Sequence, residues 1–128
     1  MWMRLLGLGC LLLLASCYSA RSQLPVGAED VELRVPTDQL VCHVRSIAAD
    51  QKLSFHYGTS EQAYGTMATL RLIGEGFEVV AYNPERAHTY VLQAYDMSSM
   101  GDESVRARRA FAAFRTALLA PVGPACAR

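Results

Sequence analysis

The sequence predicts an α+β fold in which helices cover one face of a small mixed β-sheet. Segments with helical spacing of apolar residues are interspersed with segments that alternate apolar and polar residues, and short connections with glycine, proline or polar residues join them. The predicted order is helix, strand, helix, strand, strand, helix, optionally preceded by an edge strand. One compact strand–helix–strand unit favours a right-handed parallel crossover, so the architecture is a two-layer sandwich.

The first predicted elements are an edge strand and an amphipathic helix. Residues 31–35 alternate apolar and charged side chains, and Pro36 ends this strand. Thr37 is a suitable N-cap for the helix that follows. The apolar stripe of this helix consists of Leu40, Val41, Val44, Ile47 and Ala48. Residues 53–57 alternate again, which predicts a strand with one buried face that ends at Gly58.

The second predicted helix covers residues 59–74. Thr59 and Gln62 have the spacing of a capping box, and Gly76 stands where a glycine is favoured after the end of a helix. The shared apolar face of this helix consists of Ala63, Met67, Leu70 and Gly74.

A strand hairpin and a final helix complete the predicted domain. Residues 77–82 and 88–96 are the two strands, with a turn between them. After a flexible segment, Asp102 and Glu103 open the final helix, which ends before Pro121. The apolar face of this helix consists of Ala107, Phe111, Phe114 and Leu118.

The amino-terminal residues have the pattern of a secretory signal. Arg4 supplies a positive charge, and residues 5–15 are almost continuously apolar. This run is too short for a typical membrane-spanning helix of about 20 residues. Small residues follow it, as at a cleavage site.

The residues at the end of this run are Leu14, Ala15, Ser16 and Cys17. They resemble the lipobox of bacterial lipoproteins, which implies cleavage after Ser16 and a diacylglyceryl group and an N-acyl chain such as palmitate on Cys17. Several acyl chains hold a protein on a membrane much longer than one chain does. Tyr18, in place of an aspartate associated with inner-membrane retention, favours the outer membrane and a domain that faces the periplasm. The alternative is an ordinary cleaved signal peptide.

The predicted organisation has four parts. Residues 1–16 are the signal peptide, and 17–30 are a lipidated tether without helical or strand period. Residues 31–120 form one α+β domain, and 121–128 form a tail. At about 3.3 Å per residue the tether reaches only about 40 Å, so the domain works close to the membrane.

Two of the four cysteines remain for the folded part. Cys10 leaves with the signal peptide and Cys17 is taken by lipid, which leaves Cys42 and Cys126. Two thiols in an oxidising periplasm commonly pair, so we expect a disulfide that runs the tail over the outer flank of the first helix. The alternative is two buried free thiols.

The charged and polar residues predict neither catalysis nor a cofactor. After Arg4 is removed, eleven basic residues balance twelve acidic ones, which argues against nucleic acid as a partner. His43, His56 and His88 lie on different elements without cysteines or carboxylates at metal-ligand spacing, so we expect no metal. We find no nucleophile or dinucleotide motif, and expect no enzyme activity and no small-molecule substrate.

Four arginines in the final helix are the predicted partner-binding residues. They are expected to point away from the apolar face, towards an acidic protein or anionic headgroups. These residues are Arg106, Arg108, Arg109 and Arg115. The alternative is a solvated surface that only keeps the protein soluble.

Several short segments resemble the TrbH-type lipoproteins of conjugative transfer systems. These are TSEQAYG at residues 59–65, LR at 70–71, GFEV at 76–79 and YVL at 90–92. The long final helix departs from that family, where further strands are expected. The resemblance implies a non-catalytic structural accessory of an envelope-spanning secretion or conjugation apparatus. The alternative is a periplasmic inhibitor or immunity lipoprotein that binds a toxin or a lytic enzyme.

Overall fold

A computed structural model gives the structure of residues 24–63, 65–84 and 88–127. The fold is α+β, as predicted. The elements follow in the order β1 (Gly27–Glu32), α1 (Thr37–Asp50), β2 (Ser54–Gln62), β3 (Gly65–Ile73), β4 (Phe77–Tyr82), β5 (Thr89–Asp96) and α2 (Ser104–Leu119). Cys17, the predicted signal peptide and the first part of the tether lie outside the described residues.

The sheet is antiparallel throughout. Its strands lie in the order β1-β5-β4-β3-β2, and each neighbouring pair is antiparallel. The predicted mixed sheet and its parallel crossover are therefore wrong. The two edges of the sheet are β1 and β2.

The helix predicted over residues 59–74 is wrong, and this error explains the parallel crossover. β2 occupies the first part of the segment and β3 the rest. Leu70 and Leu72 are buried while Arg71 between them is exposed, which is the period-two pattern of a strand. Gly65 has a φ of 133°, a conformation that glycine adopts readily, at the start of β3. Pairing with β2 and β4 outweighs the local capping signal.

Smaller boundary predictions also change. β1 is Gly27–Glu32, so it begins inside the predicted tether over residues 17–30 and ahead of the predicted strand over residues 31–35. Thr37 is the first residue of α1, and no side-chain hydrogen bond caps that helix, so the predicted Thr37 cap is wrong. β2 continues through Gly58. Gly76 does not follow a helix; it lies between β3 and β4 with a φ of 79°.

Both helices pack on the same face of the sheet and enclose the core. The strand hairpin and the final helix are confirmed. The helices bury Leu40, Val44, Ile47, Ala48, Ala107, Phe114 and Leu118. The central strands bury Leu70, Leu72, Val79, Ala81, Leu92 and Ala94 against them. The predicted apolar stripes are therefore the core-facing sides of α1 and α2, with Val41 and Phe111 only partly buried.

Two links hold the helices and the tail in place. The Nε2 atom of buried His43 in α1 lies 3.1 Å from the carbonyl oxygen of Ala117 in α2. Cys42 and Cys126 form a disulfide with a Cα–Cα distance of 5.6 Å. Cys126 is buried and Cys42 is half-buried, so the tail packs on the flank of α1, as the sequence predicts.

The disulfide should contribute a large share of the stability. The double variant Cys42→Ala, Cys126→Ala should lose about 4 to 5 kcal/mol of unfolding free energy, because the bond closes a loop across a sequence separation of 84 residues. Denaturant unfolding with and without reductant measures this loss. The variant itself should not respond to reductant; equal stability of parent and variant would contradict a closed disulfide.

Candidate partner-binding surfaces

The four predicted arginines do not form one surface. At 100° per residue, Arg106 and Arg115 fall on opposite flanks of α2, while Arg109 points away from the core. Arg106 lies 3.3 Å from the carboxylate of Glu103, and Arg115 forms an ion pair with Glu29 in β1. The four arginines were predicted to point away from the apolar face of the helix; Arg115 lies at the border of that face, where it bonds to Glu29 at the edge of the sheet.

Arg108 and Arg109 are the two predicted arginines whose side chains remain available to contact a partner. Both side chains are exposed, and neither has an ion-pair partner within the described ranges. Arg115 instead joins α2 to the edge strand β1, and its hydrogen bond holds the pKa of the Glu29 carboxyl below its ordinary value. Partner binding therefore remains a prediction for Arg108 and Arg109, and no longer for Arg106 and Arg115.

A second surface is the side of the sheet that faces away from the helices. We call it the open face, and no described helix covers it. Because strand side chains alternate, the residues that flank the buried ones in β3, β4 and β5 lie on it. They are Thr69, Arg71, Ile73, Glu78, Val80, Tyr82, Val91, Gln93 and Tyr95.

An ion pair lies within the open face. Arg71 and Glu78 are bonded diagonally across β3 and β4, and the Glu78 side chain is only 9% exposed while that of Arg71 is 49% exposed. The hydrogen bond to Glu78 and its charge raise the pKa of Arg71. The guanidinium therefore covers the carboxylate and presents its own outer side to solvent.

Tyr95 and Gln93 supply further ordered polar groups on the open face. The Tyr95 hydroxyl donates to Oε1 of Gln93 at 2.5 Å. Burial raises the pKa of Tyr95 above its ordinary value, and nearby Tyr82 and Glu78 add to the shift. These side chains hold one another, so the face offers a defined arrangement of donors and acceptors to a partner.

Two shallow depressions cross this face. One, of about 400 Å³, is lined by Thr69, Arg71, Glu78, Val80, Gln93, Tyr95 and Met97. The other, of about 330 Å³, is lined by His56, Tyr57, Gly58, Thr59, Ser60, Thr69 and Arg71. Thr69 and Arg71 border both, so the depressions form one continuous surface from β5 to β2.

Asp96 organises the segment between β5 and α2, a role that the sequence analysis missed. Its Oδ1 atom accepts from the backbone N–H of Ser98 at 3.0 Å. Its Oδ2 atom accepts from the N–H of Glu103 at 3.0 Å and from the Ser104 hydroxyl at 2.9 Å. The side-chain bond from Ser98 is the main cause that lowers the pKa of Asp96. Asp96 therefore ties the start of α2 to the sheet.

The histidines occupy separate places. His43 is buried and bonded to the neighbouring helix, whereas His56 in β2 and His88 before β5 are exposed. Within residues 24–63, 65–84 and 88–127, no group of three or more His, Cys, Asp or Glu side chains could hold a metal ion. In the same ranges, neither helix combines the length and apolar character needed to span a bilayer.

Comparison of the chain with protein-family models, with curated proteins and with solved structures finds no match. The longest segment of the resemblance to TrbH-type lipoproteins, residues 59–65, lies at the β2–β3 hairpin rather than at a helix cap. Of its other segments, residues 77–79 lie in β4 and residues 90–92 lie in β5.

Replacing Asp96 should remove a pH-dependent contribution to stability. A carboxyl whose folded pKa is lowered stabilises the fold above its unfolded pKa of about 3.9, and this contribution is lost as pH falls through the folded value. Asp96→Asn should therefore lower the melting temperature at pH 7, and the gap to the parent should narrow below about pH 4. Thermal unfolding between pH 2 and 7 tests this; a gap independent of pH would contradict the lowered pKa. Asp102→Asn is the matched control.

Proposed function

We propose that the protein is a lipoprotein anchored to the outer membrane, whose periplasmic domain binds a protein partner. In this proposal it is a non-catalytic accessory of an envelope-spanning secretion or conjugation apparatus. Support for the anchor comes from the lipobox-like residues 14–17, and the Cys42–Cys126 disulfide suits an oxidising compartment. Support for partner binding comes from the open face.

The composition of the open face is the observation that carries the partner proposal. Antiparallel sheets with one covered face usually present polar side chains on the other. Here half-buried apolar and aromatic side chains occupy five of the nine positions of the open face in β3, β4 and β5. They are Ile73, Val80, Tyr82, Val91 and Tyr95. Tyrosine and arginine are enriched in protein interfaces, where an apolar centre is surrounded by polar groups.

The attachment point of the tether suits this arrangement. The described chain enters the sheet at β1, an edge strand. Nine residues lie between Cys17 and Gly27, so ten Cα-to-Cα steps join them, which corresponds to at most about 33 Å of extended chain. The domain would therefore meet its partner within one domain diameter of the membrane.

The alternative function uses the same surface. An inhibitor or immunity lipoprotein would hold a toxin or a lytic enzyme against the open face. The identity of the bound protein distinguishes the two functions, since one partner is a component of a secretion or conjugation apparatus and the other is an enzyme that attacks the cell.

Cys17→Ser should abolish acylation. The variant should remain as uncut precursor or appear in the soluble fraction, because position 17 no longer carries a thiol that can accept the diacylglyceryl group. Metabolic labelling with a fatty acid, followed by membrane fractionation, measures both effects. Cys10→Ser is the matched control and should be labelled like the parent. A labelled Cys17→Ser protein would refute the anchor.

Photo-cross-linking from the open face should capture the partner. A photoreactive residue at Val80 should give an adduct with a component of a secretion or conjugation apparatus in intact cells, whereas the same residue at exposed Ser46 on α1 should not. Capture of a toxin or lytic enzyme would favour the alternative function. Equal adduct formation at both positions would contradict the open face as the binding surface.

The arginine pair is tested by the same method. The pair lies on the helix side of the domain, so its test uses a photoreactive residue at Ala113, one helical turn after Arg109. Arg108→Gln with Arg109→Gln should lower the yield of the adduct from Ala113 at low salt and leave it unchanged at high salt. Exposed substitutions of this kind usually change stability by less than about 0.5 kcal/mol each, so folding should be preserved. An unchanged yield at both salt concentrations would leave the pair as solubility residues.

A further inference from the structure

We propose that the free edge of β2 pairs with the same edge of a second copy of this chain. Two domains would then share one continuous antiparallel sheet of ten strands. This inference goes beyond the proposed function; the pairing geometry is independent of that function, and only its strengthening on a membrane rests on the proposed anchor.

The two edges of the sheet differ in how they are protected. Natural proteins protect free edges with charges and prolines, which discourage pairing with another strand. β1 has six residues, of which Glu29, Asp30 and Glu32 are acidic. β2 has nine residues with a single carboxylate, Glu61, and no proline, and all but Phe55 are exposed. β2 is therefore the edge that is open to pairing.

The hydrogen-bond pattern shows which backbone groups of β2 point outwards. The N–H of Gly74 donates to Phe77 at 3.0 Å, and that of Asn83 donates to Ala68 at 3.1 Å. The backbone groups of even-numbered β3 residues therefore form hydrogen bonds with β4, and those of odd-numbered β3 residues form hydrogen bonds with β2. Through the β2–β3 register, even-numbered β2 residues bond to β3. The backbone groups that point outwards belong to Phe55, Tyr57, Thr59 and Glu61.

Symmetry and the backbone hydrogen-bond pattern restrict the register of the pairing. A two-fold axis perpendicular to the sheet keeps the helices of both copies on the same side, so paired residues must both be odd or both be even. A register centred on Gly58 pairs Phe55 with Glu61 of the second copy and Tyr57 with its Thr59. All four are residues whose backbone groups point outwards, and Gly58 then meets its own copy in a position without hydrogen bonds.

Two unneutralised charges favour this register. The Arg45 guanidinium lies 5.4 Å from the centre of the Phe55 ring and has no ion-pair partner in the described part of the chain. Glu61 accepts a hydrogen bond from the Thr66 hydroxyl at 3.1 Å but meets no described cation. Opposite Phe55, Glu61 of the second copy comes next to Arg45, and symmetry forms this pair twice. Registers centred on Tyr57 or Thr59 do not place Glu61 of the second copy opposite Phe55.

The pairing should be weak in dilute solution and stronger on a membrane. One strand from each copy buries less area than a standard protein interface of about 1,600 Å². Confinement to a surface raises the effective concentration of a second copy without any new contact. The pairing leaves the open face uncovered, so the two open faces would lie side by side.

Cysteine cross-linking of the full chain in native membranes tests the proposal. Gly58→Cys should form a disulfide-linked dimer under mild oxidation, because opposed residues in a position without hydrogen bonds have Cα atoms about 4.5 Å apart, within disulfide range. A side chain fits there, since a Cβ at Gly58 meets nothing within 4 Å. Ser60→Cys is the matched control on the same strand and face. Its two copies would lie about 13 Å apart and should not link.

Three further variants test the edge and the register. Thr59→Pro removes an outward N–H without touching the bonds to β3 and should lower the Gly58→Cys dimer yield at least tenfold. Arg45→Glu should lower it too, and addition of Glu61→Arg should restore it. An intact Cys42–Cys126 bond in peptide maps shows that each variant is folded.

The outcomes separate the possible occupants of this edge. Self-pairing is supported if a cysteine at position 58 gives the disulfide-linked dimer, a cysteine at position 60 does not, and Thr59→Pro removes the dimer. Equal yields at both positions would indicate random collision, and no dimer at either would show that the edge is free; both overturn the proposal. A mixed disulfide from position 58 to another protein would overturn it in favour of a strand from that partner.

Discussion

The packing of two helices on one face of an antiparallel sheet is the constraint on which the other features depend. The core-facing side chains of β3, β4 and β5 are buried against α1 and α2, and the hydrophobic effect provides most of the stability there. Since side chains alternate along a strand, burial of Leu70 and Leu72 puts Thr69 and Arg71 on the other side. The open face is thus a direct consequence of the core.

Specific contacts keep the helices in register with that sheet. The hydrogen bond between His43 and Ala117 joins α1 to α2, and the ion pair between Arg115 and Glu29 joins α2 to β1. Asp96 attaches the start of α2 to the end of β5. With the disulfide added, each helix is held by at least one polar or covalent link besides apolar packing. A domain of this size benefits from such links because its core is small.

Part of this structure could be predicted from the sequence, and the errors have physical causes. α1, β4, β5 and α2 were predicted at nearly their observed bounds, and most residues of the predicted helical stripes are buried. Residues 59–74 contain Met67 and Leu70 at helical spacing but also alternate around Arg71. Pairing with β2 and β4 decides between the two periods, and local signals do not report that pairing. The disulfide followed from the count of cysteines and the inferred compartment.

The surfaces were harder to predict than the core. Arg115 looked like a free cation because its partner Glu29 is far away in sequence. The open face could not be found before the sheet order was known, since its residues come from three strands. The contrast between the edges of β1 and β2 likewise depends on which strands are outermost, although the acidic residues of one and the uncharged stretch of the other are visible in the sequence.

The central claim is a one-sided antiparallel sheet in which β2 is a free edge, and amide hydrogen exchange tests it most directly. In full-length protein dispersed in detergent at low concentration, the amides of His56, Gly58 and Ser60 should exchange slowly because they bond to β3, while those of Tyr57, Thr59 and Glu61 should exchange fast. Uniformly slow or uniformly fast exchange through this segment would contradict the account.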